Sequence, residues 1–356
     1  MSSRPARSLK MSQNRIAVIG GGIVGCMTAH RLLEADPTCH VTLVDRSLVG
    51  SGASRFSAGV HFPVGRSSHV RKMSVESADY YSALVRSDSE LPIYAVNFFV
   101  AAASKDALEV MQRCIGLEEH SVRQDVDVKV VSIPDGFKVW RMPGCQVANV
   151  SALVQMLAQR LRRRISILES VNVDAIHERR DGVQIQLSTG KNLQADKAVL
   201  CPGPWANAGV FRDYTKPLEI RSKKVVALHL DGSPDMAVPI LFPIDDVFMV
   251  PFPYRGHWLF SYTCNQWNVS PDDSRSCVLT NAEMAEAQQW LDRYAGPLGR
   301  NVCAGRVFVD AYSPSGEPII APVGVTGNLV FAGAANGSGY RLAPAIAMEA
   351  VRAVFE

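Results

Sequence analysis

The sequence predicts an α/β fold that carries an inserted antiparallel (α+β) part. A first unit, Ile16–Arg46, has the pattern of a buried strand, a glycine turn, a helix and a second strand. The last segment, Asn328–Val354, again runs from a buried strand through glycines into a helix. Between them, Val225–Leu230, Phe248–Phe252 and Trp258–Thr263 alternate apolar and polar residues as antiparallel strands do. Both ends of the chain should therefore build one Rossmann-like domain around the insert.

The first unit has the pattern of a dinucleotide site. Gly20, Gly22 and Gly25 follow the strand at the spacing G-x-G-x-x-G, and Asp45 ends the second strand. These glycines permit a tight turn, let the backbone approach a pyrophosphate and let the helix pack closely on the strand. The helix N-terminus favours phosphates, and the Asp45 carboxylate can accept hydrogen bonds from a ribose. An ordinary glycine turn explains the combined pattern poorly, but the motif does not distinguish NAD, NADP and FAD.

Composition excludes several classes of protein. The chain has 356 residues, of which 47% are apolar and 20% charged, and its formal net charge is only +3. Such a balance is typical of a globular protein without a nucleic-acid partner, and no apolar run is long enough for a membrane span. Residues 1–14 are polar and basic and predict a disordered leader. The eight cysteines include no C-x-x-C pair, which argues against zinc and disulfides and favours a reducing, cytoplasmic compartment.

Other segments predict the organisation between the two glycine units. Leu48–Val60 is a run of small residues without helical period, which we expect to be extended backbone along a large cofactor. Val70–Arg86 and Val150–Arg164 have the period of amphipathic helices. Gly136–Trp140 predicts a strand, and Pro143-Gly144 predicts a turn after it.

Four motifs in order resemble the FAD-dependent amine and amino-acid oxidases of the D-amino-acid oxidase, glycine oxidase and sarcosine oxidase group. They are Ile16–Arg46, the run GSGASRFSAG at Gly50–Gly59, ADKAVLCPGPWA at Ala195–Ala206 and GNLVFAGAANGSGYRLAPAIA at Gly327–Ala347. The resemblance covers most of the chain. It implies a Rossmann-like FAD-binding domain and a second domain whose antiparallel sheet covers the flavin.

The resemblance also implies domain boundaries. The FAD-binding domain would comprise residues 15–85, 140–215 and 305–356. The substrate domain would comprise residues 86–139 and 216–304.

The implied contacts with FAD come from all four motifs. Asp45 stands where the group more usually has Glu, and Phe308 stands where some relatives have the cysteine that bonds flavin, so we expect non-covalent FAD. The implied FAD-binding residues are Gly20, Gly22, Ile23, Val24, Gly25, Asp45, Arg46, Ser51, Ala53, Ser54, Arg55, Val173, Gly203, Trp205, Gly337, Ser338, Gly339, Tyr340, Arg341 and Leu342.

The substrate end departs from the group's pattern. Many relatives place a carboxylate-binding arginine where this chain has Asp310, and an acid there would repel a carboxylate. Sarcosine-oxidase-like relatives instead place a basic residue at the position of Arg341. Arg341 is therefore the predicted carboxylate clamp, because its planar fork suits bidentate binding. A structural bond from Arg341 to FAD or to a carbonyl is the alternative.

Further candidate pocket residues lie near the predicted flavin. His61 follows the small-residue run directly and could help deprotonate an amine, although a packed histidine explains it equally well. Tyr262, Tyr254 and Phe248 lie on strands that face the pocket in this group, with core packing as the alternative. The lysine that assists oxygen in some relatives has no counterpart in Trp258–Tyr262.

The predicted function is FAD-dependent oxidation of an amine or amino acid. Hydride transfer to flavin N5 would give an imine that water hydrolyses, and oxygen or another acceptor would reoxidise the flavin. The substrate would be a secondary amine, a glycine-like compound or a D-amino acid. Two alternatives stay open at this point, an NAD(P)-dependent dehydrogenase and a catalytically idle flavoprotein that acts as a binding partner.

Overall fold

The computed structural model describes residues 14–120, 131–233, 239–252 and 255–356, so the predicted leader lies outside it except for Asn14. Its helices are α1 Ile23–Ala35, α2 Ala53–Phe56, α3 Ser68–Ser87, α4 Ala107–Arg113, α5 Val150–Leu161, α6 Arg212–Thr215, α7 Asn281–Tyr294 and α8 Gly339–Phe355. Its strands are β1 Arg15–Ile19, β2 His40–Val44, β3 Val60–His61, β4 Ile93–Ala103, β5 Glu118–His120, β6 Phe137–Ala148, β7 Ser166–Leu168, β8 Val173–Arg179, β9 Gly182–Leu187, β10 Asn192–Ala195, β11 Lys197–Leu200, β12 Arg221–Asp231, β13 Ile240–Phe242, β14 Val247–Phe252, β15 His257–Tyr262, β16 Val302–Tyr312, β17 Ile319–Val323 and β18 Leu329–Gly333.

A six-stranded sheet joins the two ends of the chain. Its strand order is β17-β18-β11-β1-β2-β7, and all neighbours are parallel except β17 and β18. The strands predicted to be buried, β1, β11 and β18, lie side by side at its centre. Residues of β1 alternate between two cores, with Ile16 and Val18 on one face and Ala17 and Ile19 on the other. The prediction of one Rossmann-like sheet built from both chain ends is confirmed.

Helices cover one face of this sheet, and a small sheet covers the other. Buried apolar stripes of α1, α3, α5 and α8 share one core, in which Leu153, Val154, Leu157 and Leu161 form the predicted face of α5. The antiparallel strands β8, β9 and β10 pack on the opposite face.

A nine-stranded sheet forms the second part of the fold. Its order is β16-β12-β15-β14-β13-β4-β6-β3, with β5 paired to β6. Neighbours are antiparallel except β13 and β4, so the predicted antiparallel insert is present. Strand β12 begins at Arg221, four residues before the predicted start at Val225, and pairs with β16 along almost its whole length. This pairing brings the C-terminal segment onto the insert.

Two local predictions are wrong. Pro143-Gly144 is not a turn that ends a strand, because β6 continues to Ala148 and accommodates the pair as a bulge opposite β4. The run Leu48–Val60 is not extended throughout, because Ala53–Phe56 forms one helical turn.

The predicted domain boundaries stay a prediction. The nine-stranded sheet takes β3 and β16 from segments assigned above to the FAD-binding domain. Among the described residues, no helix has the length and apolar character needed to cross a membrane.

Candidate active site

A large cavity lies where the carboxyl ends of β1, β2 and β11 face strands β12 and β16. Its volume is about 1520 Å³, well above the range of roughly 300–1,000 Å³ typical of small-ligand pockets. In open α/β sheets, ligands bind at the carboxyl ends of the strands. The cavity is therefore in the expected place and has room for a large cofactor together with a substrate.

The first glycine turn forms one end of this cavity. Gly20 adopts a positive φ of 106°, and a Cβ there would collide with the carbonyl oxygen of Cys201. A Cβ on Gly25 would collide with the carbonyl oxygen of Gly20. Both positions therefore require glycine, for the turn and for close packing of α1 on β1, as the motif predicts.

The N-terminus of α1 opens into the cavity, and its N-cap residue, Gly22, has no side chain to cap it. The Ile23 N–H donates to Ser54 Oγ at 2.9 Å, whereas the N–H groups of Val24 and Gly25 have no acceptor among the described residues. All of these residues line the cavity. Free N–H groups at a helix N-terminus, with the positive end of its dipole, suit a pyrophosphate.

Asp45 lies at the end of β2 on the same wall. One carboxylate oxygen accepts the Gly21 N–H at 2.6 Å, and the other accepts the Ser47 N–H at 2.7 Å. Burial raises the pKa of Asp45, although both hydrogen bonds stabilise its charged form. Each carboxylate oxygen can accept more than one hydrogen bond, so the group is still able to bind a ribose hydroxyl.

A cluster next to Asp45 was not predicted from the sequence. Asp272 accepts a hydrogen bond from Trp205 Nε1 at 2.8 Å and pairs with Arg46 at 2.9 Å. The Arg46 guanidinium also lies 4.7 Å from the centre of the Trp205 ring. Arg46 and Trp205 line the cavity as predicted, and Asp272 fixes both of them from a loop of the insert.

The second glycine turn approaches the cavity from the end of β18. Gly337 has a positive φ of 77°, and α8 begins two residues later without a side-chain cap. The N–H groups of Tyr340 and Arg341 find no acceptor in the described part of the chain. Tyr81 anchors the first turn of α8, because its ring stacks on the Tyr340 ring at 4.8 Å and its hydroxyl donates to the Tyr340 carbonyl oxygen. A second helix N-terminus therefore opens onto the same cavity.

Arg341 presents its guanidinium to the cavity. Its Nη2 donates to Ser338 Oγ at 2.5 Å, and the guanidinium lies 5.0 Å from the centre of the Phe62 ring. Burial lowers the pKa of Arg341 to about 10. No described carboxylate lies within ion-pairing distance, so the remaining N–H groups of the fork are available to a ligand.

Asp310 lies on β16 and also lines the cavity. Burial raises the pKa of its carboxyl group to about 6, although the N–H groups of Ala311 and Gly337 bond to the carboxylate. Asp310 is thus anchored on Gly337, and Arg341 is anchored on the next residue, Ser338. The Asp310 carboxylate and the Arg341 guanidinium are therefore hydrogen-bonded to two adjacent residues of the same turn.

Two predicted residues do not line the cavity. His61 is fully buried, its Nε2 lies 3.0 Å from the Ser74 carbonyl oxygen, and burial lowers its pKa to about 4. It is a packed histidine, and the expectation that it meets the amine is wrong. Arg55 is exposed, because the helical turn at Ala53–Phe56 directs Ser54 inward and Arg55 outward.

The predicted aromatic residues have mixed outcomes. Tyr262 and Phe248 line the cavity, but the Tyr262 hydroxyl already donates to the Glu283 carbonyl oxygen at 2.9 Å. Tyr254 lies outside the described residues. Tyr262 therefore contributes its ring to the cavity wall and has no free hydroxyl proton for catalysis.

Sequence reasoning missed three residues on this wall. Lys223, Tyr312 and Trp267 line the cavity next to Asp310. The adjacent pair Lys223-Lys224 was an available signal, because neighbours in a strand point to opposite faces and one of them had to face inward.

The cavity fits FAD. Two helix N-termini that lack a cap from their own N-cap residue, a first glycine turn without room for side chains, a second glycine turn with a positive φ at Gly337 and an acid at the end of β2 surround it. Of the predicted FAD-binding residues, all except Arg55 line its wall. The residue types match the phosphates, ribose and rings of a dinucleotide.

Solved structures share this fold across almost the whole chain. L-proline dehydrogenase from P. horikoshii has a TM-score of 0.82 at 15% identity, with 96% of this chain and 92% of that chain covered. Glycine oxidase from Geobacillus kaustophilus has a TM-score of 0.79 at 15% identity, with coverage of 96% and 95%. Fructosyl amine: oxygen oxidoreductase (Amadoriase I) from Aspergillus fumigatus has a TM-score of 0.76 at 15% identity, with coverage of 98% and 88%.

A comparison with curated proteins finds no match. A family model described as FAD dependent oxidoreductase (DAO) matches residues 15–353. This match includes both glycine turns, Asp45, Asp310 and Arg341, and the family that it describes is FAD-dependent. The chain belongs to the DAO family of FAD-dependent oxidoreductases.

Proposed function

We propose that this protein oxidises a secondary amine, a glycine-like compound or a D-amino acid to an imine, which water then hydrolyses. Bound FAD supplies the acceptor for the hydride that leaves the carbon next to nitrogen. Oxygen or another acceptor then takes up the electrons. The proteins with similar folds include enzymes named for proline, glycine and fructosyl amine, which supports a substrate of the amine or amino-acid class.

One observation favours an amino acid over a simple amine as the substrate. Asp310 and Arg341 are anchored on the adjacent residues Gly337 and Ser338, and they do not pair with each other. An α-amino acid carries a carboxylate and an amine on one carbon, so it complements two opposite charges held on one turn. Arg341 binds the carboxylate through its free N–H groups.

Asp310 acts on the amine in this proposal. An amine must be neutral before a hydride can leave the neighbouring carbon, because an ammonium group has no electron pair to stabilise the product. A buried carboxylate with a pKa of about 6 can take a proton from the bound ammonium group near neutral pH. The same carboxylate repels a substrate carboxylate, which directs the latter to Arg341.

Apolar rings line part of the cavity wall and would limit the access of water to the reacting carbon. Phe62, Phe248 and Phe308 line it, and Phe308 stacks on Phe56 at 5.8 Å. Phe308 has no nucleophilic atom, which supports non-covalent FAD. The eight cysteines are all free thiols, which supports a reducing, cytoplasmic compartment.

The family match overturns the alternative of an NAD(P)-dependent dehydrogenase. Anaerobic reduction of the flavin distinguishes an active enzyme from a catalytically idle flavoprotein. The purified protein should be yellow or take up added FAD, and denaturation should release the flavin. Anaerobic mixing with a panel of N-methyl amino acids, glycine and D-amino acids should bleach the flavin with at least one compound. Flavin that stays oxidised with the whole panel would contradict the proposed activity and favour an idle flavoprotein.

A further inference from the structure

The substrate end of the cavity contains a second buried cation. Lys223 lies on β12 opposite Asp310 of β16, and its side chain is only 7% exposed. Because Lys223 is the register partner of Asp310 and Tyr312 lies two residues from Asp310, the three side chains lie on the same face of these two strands, and all three line the cavity. The nucleotide end, with Asp45, lies on the six-stranded sheet, whereas Lys223 adjoins the turn that holds Arg341.

Aromatic rings surround the ammonium group of Lys223. Its Nζ lies 4.9 Å from the centre of the Trp267 ring and 5.2 Å from that of Tyr312. These rings stabilise a cation without neutralising it. The neighbouring Lys224 provides the contrast, since it pairs with buried Glu283 and donates to the Val278 carbonyl oxygen at 2.9 Å.

Lys223 has no comparable partner among the described residues. No hydrogen bond from its Nζ and no carboxylate within ion-pairing distance is present there. Asp246 and Glu286 favour its charge from farther away, whereas Arg66 opposes it, and Asp246 is itself bonded to the Thr263 hydroxyl at 2.6 Å. A buried cation without an ion-pair partner is costly, and a bound anion would relieve that cost.

We propose that Lys223 binds a second acidic group of the substrate, so that the preferred substrates are amino acids with an additional carboxylate. Such a compound carries two negative charges and one positive charge, which complement Arg341, Lys223 and Asp310. The inference rests on the proposed function, because it uses Arg341 as the site of the first carboxylate.

The test uses the FAD-loaded protein and carboxylic acids that lack an amine and cannot be oxidised. Binding of glutarate, a dicarboxylate, and of butyrate, a monocarboxylate, is measured from the change in the visible flavin spectrum. The wild-type protein should bind glutarate at least about tenfold more tightly, the effect expected of one charge-assisted hydrogen bond. Lys223→Met should remove that preference and leave butyrate binding unchanged, whereas Lys223→Arg should retain most of it.

Arg221→Met provides the matched control. Arg221 lies on the same strand and also contacts the Trp267 ring, at 4.6 Å, but it is exposed and does not line the cavity. Its variant should keep the glutarate preference. Equal binding of both acids by the wild-type protein, or an unchanged preference in Lys223→Met, would overturn the inference.

Two kinetic measurements, reoxidation of the flavin by oxygen and its reduction by amino acids, distinguish this inference from a role of Lys223 in the reaction with oxygen and from failure of the proposed function. A Lys223→Met protein that keeps its glutarate preference but reoxidises more slowly with oxygen would place Lys223 in the reaction with oxygen and overturn the second-anion site. A wild-type protein that is reduced by monocarboxylic amino acids and shows no glutarate preference would overturn this inference alone. A wild-type protein that prefers glutarate but is reduced by no amino acid would instead overturn the proposed function.

Discussion

At the scale of single residues, the cavity is defined by charges that have no ion-pair partner among the described residues. In the part of the chain that the structure describes, the Arg341 guanidinium donates only to the Ser338 hydroxyl and contacts the Phe62 ring, and the Asp310 carboxylate accepts only backbone N–H groups. Burying both groups without pairing them is unfavourable unless a ligand supplies the complementary charges. This arrangement fits a zwitterion better than a neutral amine.

Arg341→Ala should weaken binding of an amino acid while FAD stays bound. Loss of a buried charge-assisted pair costs roughly 2–5 kcal/mol, which corresponds to a rise in KM of about 30-fold or more. Arg341→Lys should recover part of this loss, because an ammonium group keeps the charge but not the fork. Steady-state kinetics with the best amino acid measure the effect.

Arg352→Ala is the control for that variant. Arg352 lies on the same helix and is exposed, and its side chain donates to the Met348 sulfur at 3.5 Å. Its KM should equal that of the wild-type protein. If Arg341→Ala also left KM unchanged, Arg341 would be a structural residue and the carboxylate clamp would be elsewhere.

The pH dependence of the reaction should report Asp310. Because its pKa is raised to about 6, the carboxylate that accepts the ammonium proton is present above that pH and lost below it. The value of kcat/KM should therefore fall as the pH decreases through about 6. In Asp310→Asn this acidic limb should disappear and kcat should be low at every pH; a limb retained in the variant would assign the titration to another group.

The same residue should make the FAD-free protein less stable as the pH rises. The folded-state pKa of Asp310 is above its ordinary value of about 3.9, so the folded protein binds more protons than the unfolded chain between these values. Stability is therefore lost as the pH rises through roughly 4 to 6. Asp310→Asn should raise the free energy of unfolding at pH 7.5 by about 1–3 kcal/mol and have little effect at pH 4, as measured by urea denaturation. An equal effect at both pH values would contradict ionisation as the cause.

At the scale of elements, two helix N-termini and one loop form the wall of the cavity that fits FAD. Helices α1 and α8 pack against each other and direct their uncapped ends into one cavity. The loop between β15 and α7 reaches back to the end of β2, where Asp272 holds Arg46 and Trp205. The insert therefore fixes the part of the cavity wall that lies next to Asp45.

Asp272→Asn should weaken FAD binding. The pair with Arg46 is about half exposed, so the effect should be modest, with a rise in the dissociation constant of about two- to fivefold. Fluorescence of released flavin measures the constant. Asp273→Asn is the control in the same loop, because among the described residues the Asp273 carboxylate bonds only to Arg275, and this variant should leave FAD binding unchanged. Equal constants in both variants would exclude a role of this loop in holding FAD.

At the scale of the whole molecule, the sequence predicted what is local and missed what depends on strand pairing. The glycine turns, Asp45 and the buried strands were predictable because each depends on a short pattern with a direct physical reason. Lys223, Tyr312 and Trp267 were not, because β12 was predicted to begin at Val225 and its partner β16 lies about 80 residues away. His61 failed for a related reason, since pairing of β3 with β6 directs its ring into the core.

The most direct measurement is an anaerobic titration of the FAD-loaded protein with one α-amino acid and with the matching amine that lacks its carboxylate. We expect the amino acid to reduce the flavin completely, at one equivalent of oxidised product per FAD, and the amine to reduce it far more slowly. In Arg341→Ala, the rates at which the two compounds reduce the flavin should become similar. Equal reduction of the wild-type protein by both compounds, or reduction by neither, would contradict a cavity that oxidises amino acids between Arg341 and Asp310.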